Sequence, residues 1–115
     1  MVQIEVTDDV RDFIRSIDDL KLRAKVYRGF QLLANNWPYI GEPHVKPMTG
    51  KKGLWELREQ LGSKRVRIFF FQQQPHTLVM IHGIVKKTQK TPKRELDIAE
   101  LKMNAYIPKT KQKEN

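Results

Sequence analysis

The sequence predicts one α+β domain: a small antiparallel sheet with two N-terminal helices packed on one face, and a C-terminal helix. Three observations carry this expectation. Apolar residues recur at a helical period up to about residue 35. Beyond residue 53 the period falls to two. The links between the period-two runs are short, which makes them antiparallel neighbours. A chain of 115 residues fits one domain and not two. The spacing places that domain at 1–107 and leaves 108–115 as a basic, disordered tail.

Gln3 to Val6 suits a short strand. Thr7 follows as a helix N-cap, with Asp8 and Asp9 in the first turn, where carboxylates favour the helix dipole. Val10, Phe13, Ile14 and Ile17 then form one apolar stripe. Asp18 and Asp19 suit a second cap. Leu22, Val26, Phe30 and Leu33 continue at near-helical spacing until Asn35-Asn36-Trp37-Pro38, because the residue before proline avoids the helical region. Residues 38–53 hold three prolines and three glycines (Pro38, Gly41, Pro43, Pro47, Gly50 and Gly53) and are expected to be loop. Leu54–Arg58, Arg65–Phe71 and Leu78–Lys86 are the three strands, joined through Gly62-Ser63 and through Gln72 to His76. Thr91-Pro92 is expected to cap the last helix, whose apolar face is Leu96, Ala99, Met103 and Tyr106, with Pro108 as its stop.

Composition narrows the function. No run of about 18 apolar residues exists to span a bilayer. Cysteine is absent, which excludes a disulfide framework and thiolate zinc sites and suits a reducing cytoplasm. Three scattered histidines make a metal site improbable. The net charge is +9, and it is unevenly placed. Residues 1–45 carry six Lys/Arg against seven Asp/Glu, whereas residues 46–115 carry sixteen against six. Such a concentrated positive field suits a polyanion. Without an amphipathic basic helix the membrane ranks below nucleic acid.

Strand alternation gathers part of that charge on one face. One consistent assignment puts Leu57, Val66, Ile68, Phe70, Val79 and Ile81 against the helices. The opposite face then displays Glu56, Arg58, Arg65, Arg67, His82 and Lys86. Charge on an open sheet face is ordinary, and a lone histidine is more often structural than catalytic. Four cations around one carboxylate nevertheless suit a phosphate, which matches the arginine fork. The acid-free run from Lys86 to Arg94 adjoins this face. It includes Lys87, Lys90 and Lys93 and leads into a helix N-terminus, which favours anions.

Three segments together resemble the phage-derived HigB-like branch of the RelE/ParE toxin superfamily. They are Gly53-Leu54-Trp55-Glu56-Leu57-Arg58, then Arg67-Ile68-Phe69-Phe70, then His82 to Pro92, and the likeness spans roughly residues 3–107. It implies a RelE-like fold, cytoplasmic residence and a cognate antitoxin, commonly a helix-turn-helix protein, through whose complex operator DNA could be bound. It also implies cleavage of mRNA in the ribosomal decoding site with neither metal nor cofactor. In that chemistry the ribose 2′-OH attacks the adjacent phosphate. By position in the family pattern, Arg67 would stabilise the phosphorane and Arg58 would bind the scissile or flanking phosphate. Arg65, Lys86, Lys87, Lys90, Lys93 and Arg94 would bind RNA phosphates. Glu56 and His82 are the proton-transfer candidates, with His82 favoured because imidazole changes charge nearest neutrality. Two other functions fit the same fold: a ParE-like inhibitor of DNA gyrase, and a nucleic-acid-binding module without catalysis.

Overall fold

The computed structural model describes residues 1–86 and 90–114, with side chains through residue 107. Its elements are β1 (Gln3–Val6), α1 (Asp8–Arg15), α2 (Leu20–Asn36), β2 (Val45–Pro47), β3 (Trp55–Leu61), β4 (Lys64–Gln74), β5 (Thr77–Lys86) and α3 (Lys93–Glu114). Five strands form one sheet in the order β1-β5-β4-β3-β2. All neighbours are antiparallel except β1, which runs parallel to β5.

The helix starts follow from local chemistry. The Thr7 side chain accepts a hydrogen bond from the Val10 amide, and the Asp19 carboxylate accepts from Lys21 and Leu22. Each satisfies amides that the first turn leaves without an intrahelical partner. Val10 and Ile14 of α1 and Leu22, Val26, Phe30 and Leu33 of α2 are buried against Leu57, Val66, Ile68, Phe70, Leu78 and Met80 of the sheet.

Helices cover both faces of the sheet. α1 and α2 cover one face, and α3 covers the other. Ala99 and Met103 of α3 pack with Leu54, Phe69, Phe71, Val79 and Ile81. The cause is a β-bulge. Phe69 pairs with His82 but Phe70 pairs with Met80, so Ile81 is an extra residue on β5. A bulge turns two successive side chains to one side and reverses the alternation beyond it. Ile81 and Val79 therefore move from the expected α1/α2 face to the α3 face, while Leu78 and Met80 take their place.

Two further differences are local. Val45–Pro47 pairs with Trp55–Leu57 as an edge strand inside the expected loop; proline is tolerated at a strand end on an edge. The α3 helix also runs past Pro108 to Glu114, although a proline removes one helical backbone bond.

Gly83 pairs with Ile68 on the α1 face, and a Cβ there would overlap the ring of Phe13. Gly83→Ala should therefore displace Phe13 and destabilise the protein by about 1–3 kcal/mol, the usual cost of overpacking. Denaturant unfolding measures this, and an unchanged midpoint would contradict the packing described.

Candidate functional site

Strand register brings the six expected face residues together. Arg58 lies opposite Arg67, Glu56 opposite Phe69, Phe69 opposite His82, and Arg65 opposite Lys86. All six belong to the face that α3 partly covers. Directly opposed arginines repel each other, so the arrangement needs a compensating anion.

Glu56 supplies one. It is only 2% exposed, in the middle strands and under the start of α3. Its Oε1 lies 3.3 Å from Arg58 Nε and 3.5 Å from Arg67 Nε. Its Oε2 accepts a 2.6 Å hydrogen bond from the Thr91 hydroxyl, which in turn accepts one from Lys86 Nζ at 3.0 Å. Arg67, itself 3% exposed, donates through Nη1 to the Val66 carbonyl at 3.0 Å. Thr91 is thus a bridge in the cluster and not the predicted cap. The sequence carries no signal for this role, since Thr91 lies 35 residues from Glu56.

Burial acts on these cations as well. Burial lowers the Arg67 pKa below its ordinary value, opposed by Glu56 and reinforced by Arg58 and Arg65. Burial likewise pushes the Lys86 ammonium down to about 8, helped by Arg67. The Nε atoms of Arg58 and Arg67 are buried and face Glu56 Oε1 as ion pairs, with no hydrogen bond among the described residues. Guanidinium and ammonium groups gathered in this way suit an oxyanion.

The Lys86 shift has a definite sign. The folded state disfavours its ammonium, so its stability cost is present below about pH 8 and is relieved as pH rises from about 8 towards 10.5. Its attraction for anions falls over the same range. Sulfate, whose charge is constant there, should bind the wild type at least threefold more weakly at about pH 9.5 than at pH 7. Calorimetric titration of Lys86→Met should show a smaller pH effect. An equal pH effect in the variant would remove Lys86 from the anion site.

His82 shares the face but is engaged by α3. Its Nε2 lies 2.8 Å from Glu95 Oε2, and its Nδ1 lies 2.9 Å from Lys102 Nζ. With the lysine donating to Nδ1, the ring hydrogen is on Nε2 and points at the carboxylate. The ring also stacks on Phe69 at 5.9 Å, and Lys102 reaches Asp9 Oδ2 at 3.1 Å. The arrangement ties β5, α3 and the start of α1 together. Tyr106 packs edge-on against Phe71.

The basic run is more scattered. Lys87 lies outside the described residues. Lys90 is exposed and lines a cavity of about 230 Å³ with Lys46, Glu56, Arg58 and Thr91. Lys93 is exposed and pairs with Asp97 at 3.4 Å, and Arg94 is exposed. Lys51, in the segment before β3, binds Asp97 at 2.7 Å and Glu100 at 3.0 Å. Those hydrogen bonds hold the Lys51 pKa above its ordinary value and dock the segment to α3.

A larger cleft, of about 350 Å³, opens where β3 runs beyond β2 and is lined by Lys25, His44, Arg58, Glu59 and Arg67. Glu59 packs beside Gly29 of α2, where a Cβ would come within 2.7 Å of its carboxylate. Burial raises the Glu59 pKa, while Lys25, His44 and Arg28 oppose the rise. Neither His44 nor Glu59 is a site residue in the sequence reading.

Among the described residues no His, Asp and Glu side chains gather as a metal site, and no helix is long and apolar enough to cross a membrane. Comparison with curated protein sequences gives no match. The family model for the phage-derived Gp49-like proteins (DUF891) matches residues 12–104, which include Glu56, the arginines, His82 and Thr91. A match over that much of the chain makes this protein a member of the phage-derived Gp49-like family, which is associated with toxin–antitoxin systems.

Proposed function

We propose that the protein is the toxin of a toxin–antitoxin pair and a metal-independent endoribonuclease that cuts mRNA on the ribosome. The observation that supports this most is the cluster of Arg58, Arg65, Arg67 and Lys86 around the buried carboxylate of Glu56. Cleavage by an internal nucleophile draws on such a cluster. The 2′-OH oxygen bonds to the adjacent phosphorus, the P–O5′ bond breaks, and negative charge gathers on the phosphorane oxygens. Preorganised cations in a partly dehydrated site stabilise that charge. Cognate antitoxin would neutralise the cluster with acidic side chains, and operator DNA would be reached through the complex. Exposed cations at Lys90, Lys93 and Arg94 suit the surrounding RNA phosphates.

A purified translation system tests the reading. Added protein should cut ribosome-bound mRNA and leave 2′,3′-cyclic phosphate and 5′-OH ends. Intact transcripts would overturn it. Intact mRNA together with DNA-damage signalling in cells would favour gyrase inhibition instead.

A further inference from the structure

We propose that the cleft at the end of β3 seats the nucleotide whose 2′-OH reacts, and that His44 takes the proton from that hydroxyl. The inference rests on the endoribonuclease reading and deepens it. The reaction needs a base beside the phosphate-binding arginines, and position favours His44. The Arg58 amide donates to the His44 carbonyl at 2.8 Å, one step beyond the last β2–β3 pair, Val45 and Leu57. The two residues are therefore cross-strand neighbours, and His44 is exposed at the cleft mouth.

The cleft itself is suited to a nucleotide. Arg58 and Arg67 line it, and with their Nε atoms turned towards Glu56 the two guanidinium groups bring positive charge to its wall. A phosphate held there would lie within reach of both. The lining also includes Lys25, fixed by its bond to the Gln60 carbonyl at 2.5 Å, and the partly buried Glu59. A desolvated carboxyl next to a basic wall can accept hydrogen bonds from sugar hydroxyls or a base edge. The volume of about 350 Å³ falls within the range of small-ligand sites. His82, in contrast, has both ring nitrogens engaged by α3.

In the reaction the His44 imidazole removes the 2′-OH proton as O2′ bonds to phosphorus. The P–O5′ bond breaks, and O5′ takes a proton from water. The imidazolium proton neutralises the resulting hydroxide, which restores the base. No oxidant or co-reactant is required.

Two measurements on the full chain decide the matter. First, adenosine 3′-monophosphate is titrated while the histidine ring signals are followed by NMR. The His44 signals should move and those of His82 should not. A stationary His44 ring would overturn the proposal. Second, His44→Ala is assayed on ribosome-bound mRNA. Cleavage should fall by about 100-fold or more, the usual loss of a general base, and imidazole added to the buffer should restore part of it. A folded variant within about threefold of the wild-type rate would overturn the assignment. If the wild type cuts nothing while His44 still responds to the nucleotide, the endoribonuclease reading falls and the cleft stands as a nucleotide seat.

Discussion

Replacing Glu56 with alanine is expected to destabilise the protein by about 3–5 kcal/mol, because removing one partner leaves buried charge uncompensated. The carboxylate is 2% exposed and lies within 3.5 Å of two arginine Nε atoms. Without it, Arg58 and Arg67 face each other across neighbouring strands, and Thr91 loses the acceptor for its hydroxyl. For a domain of this size the melting temperature should fall by more than about 10 °C. Sulfate should raise the melting temperature of the variant more than that of the wild type, since an anion among the cations replaces the missing charge. Glu56→Gln, which keeps the shape and an acceptor for Thr91, should lie between the two. If Glu56→Ala melts within about 2 °C of wild type, the carboxylate does not hold the cluster together.

That expectation rests on contacts of two kinds, and the sequence reveals only one of them. Positions two apart on a strand share a face by the geometry of the chain, so Glu56 with Arg58 and Arg65 with Arg67 were legible from residue types alone. Helix starts at Thr7 and Asp19 were legible for a similar reason, since a cap acts on amides two or three residues away. The bulge at Ile81 was not. Val79, Ile81 and His82 fit an unbroken alternation equally well, and only pairing with β4 decides which face each takes. One unseen residue of register therefore misplaced Val79 and Ile81 and hid the reason α3 has a face of its own to cover.

The remaining omissions share that origin in long-range contact. Thr91 carries every local mark of a helix cap, yet its hydroxyl meets a carboxylate on a distant strand. His44 sits in a stretch punctuated by prolines and glycines, where nothing local marks the three-residue edge strand that sets it beside Arg58. His82 shows the converse. Strand alternation sets its face, while its partners Glu95 and Lys102 come from a helix whose side of the sheet depended on the bulge. Residue chemistry thus marked the cationic cluster, and topology decided which imidazole stands next to it.

Arg67 tests the cluster as chemistry. Its side chain is 3% exposed, faces Glu56 and borders the large cleft. In the proposed reaction Arg67→Ala takes a guanidinium away from the phosphorane, and loss of one preorganised donor typically slows such reactions by about 100–1000-fold. The same change leaves a cavity and weakens the hold on Glu56, so a loss of activity alone could reflect poorer folding. Arg67→Lys separates the two effects. It keeps a positive charge beside Glu56, and its melting temperature should stay closer to wild type than that of the alanine variant. A lysine presents a point charge where arginine presents a planar fork, so single-turnover cleavage of ribosome-bound mRNA should still fall by about tenfold or more. A folded Arg67→Lys protein that cuts at the wild-type rate would reduce Arg67 to a counter-charge for Glu56, and the phosphate would then have to be held by Arg58, Arg65 and Lys86.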